Sequence, residues 1–400
     1  MLNSHIKWLG DFLLKQWFFI TLAVFIVIAR FAPNFARHGG LIRGEYTFGY
    51  GALAIIVLQS GLSLKTKDLM KNMGNWRAHL TVIIISFLIT PSIMFGICSG
   101  IKACNNKEID DWILVGLIVT STCSTTIASN VVATTNANGN VLLAVCEVIL
   151  GNTLGAFISP ALLQMFTSNN TWNFANPASD QSIQHLYGSV MKQLGIGLFI
   201  PLVVGQIIQN IFPKQTEWFL KTFKMNKVAS FCLILIMFSS FSTAFYQDAF
   251  NKVSHISIIF LVFFILGIYI FFSFICFCCA RPIIIKWIFP VEPSEKSSRY
   301  YNWGYKFFKP FYYSRADTIV LVLCGATKTS AVGASLVTSQ YGSHFEFLGT
   351  LLVSLVLYNA FQVIISQSFA PLFRKWESHD HDNESLEEFT TSTSSTETMC

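Results

Sequence analysis

Long apolar stretches separated by short polar loops run along the chain from residue 12 to residue 373. Most of them have about the 20 residues that an α-helix needs to cross the hydrocarbon core of a bilayer. The pattern therefore predicts an all-α polytopic membrane protein with ten transmembrane helices. The predicted spans are 12–31, 47–64, 80–100, 112–135, 141–166, 189–211, 229–247, 256–279, 318–341 and 347–373.

Two of these spans carry a polar run at their centre. Span 112–135 contains TSTCSTT at 120–126, and span 318–341 contains GATKTS at 325–330, with Lys328 in the middle. A charge near the bilayer midplane costs about 2.5 to 3.5 kcal/mol on insertion scales, so a chain normally avoids one that does not face a site. Interrupted spans in corresponding positions of two halves indicate the binding site of a transporter.

The positions of the interrupted spans predict an internal repeat. Ten spans divide into five plus five, and the interrupted span is the fourth of each half. An odd number of spans per half inverts the second half relative to the first. We predict a first inverted repeat at 1–166 and a second at 167–373, which includes a basic cytosolic loop at 280–317, followed by a disordered acidic tail at 374–400.

The composition agrees with a membrane protein. Hydrophobic residues make up 53% of the chain, charged residues only 12%, and the mean hydropathy is +0.53. Soluble domains carry about 25% charged residues. The sequence has no metal-ligand spacing, phosphate loop or catalytic triad signature. We therefore expect no cofactor, no metal site and no enzymatic activity. The net charge of +6 follows from the membrane topology, so nucleic acid is not implied.

The distribution of lysine and arginine predicts the orientation. The N-terminal segment and the loops after even-numbered spans hold 19 of these residues, whereas the opposite side holds 6. Cytosolic loops carry the excess of basic residues, so both termini should be cytosolic. The sequon at Asn169 then lies in an outside loop and is the expected glycosylation site, while the sequon at Asn383 is cytosolic and unused.

Three peripheral features leave alternatives open. The loop 280–317 is basic and aromatic, which fits anchoring on an anionic leaflet or a protein-docking site. The tail from Glu377 holds seven acids and no lysine or arginine, then a serine- and threonine-rich run, so it is either a phosphorylated regulatory tail or a solvating one. Cys98 and Cys104 lie near the outer face, where a disulfide would be compatible with the sequence.

Small hydroxyl residues at a helix break suit a binding site, because their oxygens and the freed carbonyls can coordinate a cation, while helix N-termini attract an anion. For any single serine or threonine the alternative is a hydrogen bond to its own helix backbone. Gly325 and Gly333 would allow the second break. The candidate substrate- or ion-binding residues at the two breaks are Ser124, Thr125, Thr126, Ser129, Asn130, Thr327, Lys328, Thr329 and Ser330.

Glu147 is a further ionisable group deep in a predicted span, and we include it among the candidate site residues. It either pairs with Lys328, which would reduce the cost of burying both charges, or lies close enough to the interface to reach water.

Several short motifs resemble the bile acid:sodium symporter superfamily. They are QSGLSL at 59–64, IASNV at 127–131 and GNV at 139–141. The run CGATKT at 324–329, followed by Gly333, resembles more specifically the branch that contains the seventh member of solute carrier family 10. Fungal relatives in that branch are known as regulators of calcium homeostasis.

The resemblance implies a ten-helix inverted repeat with a panel and a core domain, and two broken helices that cross in the core. It places family sodium-site positions on Ser129 and Asn130. The chain departs from the sodium-coupled pattern in having Leu323 or its neighbours in place of an acid, and Lys328 in place of an amide. One extra residue also lies between Asn130 and Gly139. We expect the lysine ammonium to take the place of bound sodium, which favours an uncoupled or proton-linked cycle.

The branch also implies a plasma-membrane role in restraining calcium entry. Calcium usually takes six to eight oxygen ligands, including several carboxylates. The predicted spans offer only Glu147, so we expect any effect on calcium to be indirect.

Two functional classes compete. One is a secondary transporter of an organic or inorganic anion, with the lipid bilayer and a small-molecule or ion substrate as its partners. The other is a transporter-fold protein that does not transport and instead regulates a calcium channel or another membrane partner. An ion channel would need a pore lined by rings of charge, and a membrane enzyme would need a nucleophile and base. The sequence indicates neither.

Overall fold

The structure is a computed structural model. It describes residues 16–106, 108–167, 195–248, 250–251, 253–290, 292–293, 298–329 and 347–397, together with residues 333, 336, 337 and 341. In the last segment the side chains are described to residue 378. All the regular secondary structure of these residues is helical.

The helices follow the apolar stretches. The first half of the chain forms α1 (Trp17–Phe31), α2 (Glu45–Ser63), α3 (Thr66–Met73), α4 (Trp76–Ala103), α5 (Asp111–Thr122), α6 (Ala128–Asn136) and α7 (Val141–Thr167). The second half forms α8 (Gly195–Ile211), α9 (Pro213–Thr222), α10 (Met225–Tyr246), α11 (His255–Ala280), α12 (Arg299–Phe308), α13 (Arg315–Ala326) and α14 (Leu348–Glu397). Short helices at Pro33–Ala36 and Ile283–Ile288 flank α1 and α11.

Five of the described helices are long and apolar enough to cross a membrane on their own: α4, α7, α10, α11 and the first part of α14. The number rises to seven if each of the bent pairs α2–α3 and α8–α9, with bends of 102° and 116°, is counted as one span. The helices α1 and α5 are apolar but shorter. The all-helical membrane architecture is therefore confirmed, whereas the count of ten and the division at residue 166 stay predictions.

The helices pack in two groups. In the first group α2 packs against α8 and α10, and α10 packs against α1. In the second group α5 packs against α4, α7 and α14, and α11 and α7 pack against α13. The groups meet through α6 and α14, which both contact α10. In the middle of the second group, every residue of α5 from Ile113 to Thr122 is buried, so this helix forms the centre of the core.

Two peripheral predictions meet the structure differently. Cys98 is buried and Cys104 is exposed, and both are free thiols, so the suggested disulfide is absent. The backbone of α14 continues as helix to Glu397, beyond the last described side chain. The disorder of the tail stays a prediction.

Candidate functional site

Both polar runs interrupt a helix, and the two interruptions have the same geometry. The 12-residue helix α5 ends at Thr122, and Cys123 turns to an extended backbone with φ −67° and ψ 156°. The 12-residue helix α13 ends at Ala326, and Thr327 turns in the same way with φ −85° and ψ 150°. We call residues 123–127 the first break and residues 327–329 the second break.

The two breaks are in direct contact. The backbone N–H of Thr329 donates a hydrogen bond of 2.8 Å to the carbonyl oxygen of Ser124. Each break thus provides the hydrogen-bond partner for a backbone group that has no partner within the helix of the other break. Unpaired backbone groups cannot remain in a lipid environment, and this contact removes two of them.

A closed ring of side-chain hydrogen bonds joins the breaks. The amide of Asn130 donates to the hydroxyl of Thr125 over 2.6 Å. That hydroxyl lies 3.1 Å from the hydroxyl of Thr327. The Thr327 hydroxyl closes the ring when its hydrogen points to the side-chain oxygen of Asn130, 2.9 Å away, and not to the carbonyl oxygen of Leu323 in its own helix, 2.7 Å away. All three residues are buried, and such a ring strengthens each of its members in a medium of low dielectric constant.

Helix α7 packs against the first break and forms hydrogen bonds with it. Ser124 donates to the side-chain oxygen of Asn152 over 3.0 Å, and the Asn152 amide donates to the carbonyl oxygen of Thr125 over 3.1 Å. The close approach requires glycine, because a Cβ on Gly155 would lie 2.4 Å from the Cβ of Ser124. The sequence GNTLG at 151–155 therefore positions the break.

Lys328 lies in the second break and is 1% exposed. Its ammonium donates to the carbonyl oxygen of Ser86 over 2.5 Å and to the hydroxyl of Ser86 over 3.0 Å. Ser86 belongs to a π-helical turn of α4, Ile85–Ile89, and such turns are frequent at functional sites. The ring of Phe87 lies 5.8 Å from the ammonium. Among the residues that the structure describes, no carboxylate pairs with Lys328.

The main chain of Lys328 is held by α14. Its N–H donates to the side-chain oxygen of Gln362 over 2.7 Å, and its carbonyl accepts from the Gln362 amide over 2.6 Å. The same amide donates to Asn359 over 2.7 Å. This bidentate contact fixes the lysine backbone, so the side chain points in a defined direction from the break.

Glu147 does not pair with Lys328, and this corrects one sequence-based alternative. One oxygen of Glu147 lies 2.8 Å from Nδ1 of His79 in the first turns of α4. The Glu147 side chain is fully buried in this structure, and the second alternative, a position close to the membrane interface, stays a prediction. The acceptors of the Lys328 ammonium likewise belong to α4 and to neither break.

The remaining candidates have simpler environments. Thr126, Ser129 and Thr329 are buried, and the hydroxyl of Ser129 has no partner within the described part of the chain. Gly325 lies in the last turn of α13, where a Cβ would lie 2.8 Å from the sulfur of Cys276. A Cβ on Gly333 would lie 2.5 Å from Leu355. Both glycines are therefore needed for close packing. Ser330 and Asn169 lie outside the described residues.

Four polar residues that the sequence pattern did not indicate lie next to the candidate residues in the structure. These are His79, Ser86, Asn359 and Gln362. Their signal was present, since each is a polar residue inside or at the edge of an apolar span. Polar groups in membrane helices usually face the bundle interior, and this rule could have found them.

A buried, charged junction between two broken helices of a membrane bundle defines the chain as a protein of the secondary-transporter class. The comparison with known families agrees. The SBF-like CPA transporter family, a part of the bile acid:sodium symporter superfamily, matches residues 16–375, and the chain belongs to this family.

Individual relatives extend along nearly the whole chain. The solute carrier RCH1 of Saccharomyces cerevisiae is 58% identical over 369 residues, which cover 92% of this chain and 85% of the relative. The solute carrier RCH1 of Candida albicans is 56% identical, with 92% of each chain covered. The sodium/bile acid cotransporter 7 of Mus musculus is 25% identical, with 90% of this chain and 93% of the relative covered.

Proposed function

We propose that this protein is a secondary transporter of the plasma membrane that binds an anionic solute beside the crossing of its two breaks. The observation that carries the proposal is the buried ammonium of Lys328, which has two oxygen acceptors from one serine and no carboxylate partner in the described residues. A buried charge without a counter-ion is costly, and an anion arriving next to it reduces that cost.

Sodium coupling is not part of this proposal. The relatives of lower identity are named sodium/bile acid cotransporters, and the resemblance places sodium-site positions on Ser129 and Asn130. In this chain both polar atoms of the Asn130 amide are used in the ring with Thr125 and Thr327. Lys328 supplies the basic side chain at the second break. An uncoupled or proton-linked cycle follows from these two features.

We further propose the ten-span inverted repeat. The two groups of packed helices support it, because they correspond to the panel and core that the family resemblance implies. The equal lengths of α5 and α13 and the matched geometry of their breaks also support it. The repeat would relate the first five spans to the last five by inversion.

Contacts between loops support the same topology from another direction. Two segments assigned to the outside meet where the hydroxyl of Ser254 donates to the carbonyl oxygen of Glu108 over 3.3 Å. Two segments assigned to the cytosol meet where Asn140 donates to Asp317 over 2.7 Å. Loops assigned to one side by their charges thus contact each other, as the alternating topology requires.

The role in calcium homeostasis is proposed as an indirect one. Within the described residues, no group of three or more acidic, histidine or cysteine side chains is arranged to hold a metal ion. Calcium needs several oxygen ligands, including carboxylates. An effect on calcium entry would then arise from transport of another solute.

A screen of radiolabelled anions in proteoliposomes tests the transport proposal. Uptake is measured with and without sodium and with and without a proton gradient. We expect saturable uptake of one anion class that does not respond to sodium. Uptake that requires sodium would contradict the assignment of Lys328 as the replacement for a bound cation.

The second candidate is a regulator of a membrane partner that does not transport. The observation in its favour is the exposed aromatic surface around the loop 280–317, where Trp287, Tyr300 and Trp303 are each more than two-thirds exposed. In that case activity in cells would depend on this surface, while Lys328 would be dispensable.

A further inference from the structure

The pair formed by His79 and Glu147 is an ionisable group that the transport site itself does not use. His79 is 6% exposed and Glu147 is 0% exposed. The pair connects three elements, since His79 lies in α4, Glu147 lies in α7, and the other ring nitrogen of His79 faces the end of α3.

The hydrogen-bond partners fix how many protons the pair holds. Nε2 of His79 lies 3.1 Å from the carbonyl oxygen of Asn72 and 3.2 Å from that of Met73. Carbonyl oxygens only accept, so Nε2 must carry a hydrogen. Nδ1 lies 2.8 Å from the carboxyl oxygen of Glu147, so a second proton must lie between these two atoms. It is bound either to the imidazole or to the carboxyl group.

Losing this second proton breaks one of the two contacts. A neutral imidazole has a single N–H. If that N–H faces α3, the lone pair of Nδ1 faces the carboxylate of Glu147 and repels it. If it faces Glu147, the lone pair of Nε2 faces the carbonyl groups of Asn72 and Met73. Only the protonated pair holds α3 and α7 at the same time.

The environment favours the protonated pair. The second carboxyl oxygen of Glu147 is buried and has no hydrogen-bond partner within the described residues. An ionised carboxylate without donors is costly in such a place, and the added proton keeps the pair neutral overall.

The neighbouring elements contribute few charges. The nearby ionisable groups are Cys146 on α7, Cys324 on α13 and Tyr313, which precedes α13. Burial raises the pKa of Tyr313, so it stays uncharged at neutral pH. The charge of Arg77 lowers the pKa of Tyr313, and the charge of Asp317 raises it. The charged residues of α3, which are Lys67, Asp68 and Lys71, are all exposed. Helix α5 carries one charged residue, Asp111, at its exposed start. The helix α6 carries no ionisable group.

We propose that His79 and Glu147 form a proton-binding site whose occupancy links α3 to α7. One proton is taken from water when the pair forms and is returned to water when it opens. The site itself is independent of the proposed function, but its use as the coupling site of a proton-linked cycle rests on that function. The pair belongs to α4 and α7, which also hold the acceptor of Lys328 and the support of the first break.

The proton site is tested by thermal unfolding of the purified full-length protein in detergent at about pH 6 and about pH 9, on either side of the range in which histidine ordinarily titrates. The wild type, His79→Gln, Glu147→Gln and the matched control His255→Gln, at an exposed helix start, are compared. We expect the wild-type midpoint to fall as the pH rises, because the shared proton is lost. In both site variants the midpoint should fall by about 2 °C less than in the wild type, or by a smaller amount still, whereas the control should show the wild-type fall.

Glu147→Gln keeps the shape of the protonated carboxyl group, so it preserves a folded protein if His79→Gln does not fold. An unchanged pH response in Glu147→Gln overturns the proton site. Coupling is read separately, from uptake into proteoliposomes with and without a proton gradient. Glu147→Gln should take up the same amount in both conditions, and a preserved response to the gradient overturns the coupling role. If the wild type takes up no anion, the transport proposal fails, while the unfolding experiment still decides on the proton site.

Discussion

The backbone N–H of Thr329 and the carbonyl oxygen of Ser124, 2.8 Å apart, join the two breaks through their main chains. These residues are separated by about half of the sequence, yet the N–H of one and the carbonyl of the other pair at the points where the two helices are interrupted. The ring of Asn130, Thr125 and Thr327 lies next to this contact. The breaks therefore form one junction, and a change on either side of it should affect both.

The first prediction concerns Thr327. Thr327→Val keeps the shape of the side chain but removes the hydroxyl that connects Thr125 to the carbonyl oxygen of Asn130. Leaving buried polar groups without partners costs about 1 to 3 kcal/mol. For Thr327→Val we expect a lower midpoint of thermal unfolding in detergent and a loss of activity. Thr327→Ser keeps the hydroxyl, so it should retain the wild-type midpoint and the wild-type activity.

Thr153→Val is the matched control, because the hydroxyl of Thr153 bonds only within its own helix, to the carbonyl oxygen of Ile149. It should reduce the midpoint less than Thr327→Val does. Equal effects of the two substitutions would show that the ring adds nothing beyond an ordinary helical hydrogen bond.

The sequence predicted the breaks because hydroxyl runs and a lysine in the middle of apolar spans are costly unless they face a site. The structure interrupts α5 and α13 at these runs. Asn152 on α7 makes the contact with the first break.

The partners of the charged residues were beyond the sequence. Glu147 and Lys328 are the two charges nearest the centre of their spans, and pairing them would have reduced the cost of burying both. Packing of α4 against α7 instead brings His79 to Glu147. Likewise, the carbonyl oxygen of Ser86 accepts a hydrogen bond from Lys328. Ser86 lies in a π-helical turn, which the residue pattern of α4 did not predict. Contacts of this kind depend on how helices distant in sequence are placed, which hydrophobic periodicity does not determine.

The second prediction concerns topology. The bias of basic residues predicts that the C-terminus lies in the cytosol and Asn169 outside. A tag after Cys400 should be protected from external protease in intact cells and cleaved after permeabilisation. Asn169→Gln should remove glycosylation, and Asn383→Gln should leave it unchanged. An externally accessible tag would contradict the ten-span topology.

The third prediction concerns the acidic tail. Deletion of residues 380–400 removes most of its acids and the serine- and threonine-rich run, while it retains Arg374 and its contact with the carbonyl oxygen of Asn136. We expect the truncated protein to fold with an unchanged unfolding midpoint but to differ in surface level or activity. Loss of the folded protein would show that the tail is structural. Replacing only the serines and threonines at 390–396 by alanine separates a role of phosphorylation from that of the acids.

The fourth prediction concerns Lys328, on which the proposed site depends. A hydrogen bond from the ammonium to a bound anion would contribute about 1.5 to 3 kcal/mol, so removing the ammonium should weaken anion binding by about tenfold or more. Lys328→Ala removes the side chain, and Lys328→Met keeps an apolar stem of similar length without the charge. Both should fail while expression stays near the wild-type level. The readout is the calcium transient after external calcium is added to cells that lack the protein, repeated without sodium. Lys221→Met is the control, because Lys221 is an exposed residue paired with Glu217 on the surface, and it should restore the wild-type response. If Lys328→Met restores it fully, the residue only fills space and the charge at the second break has no part in function.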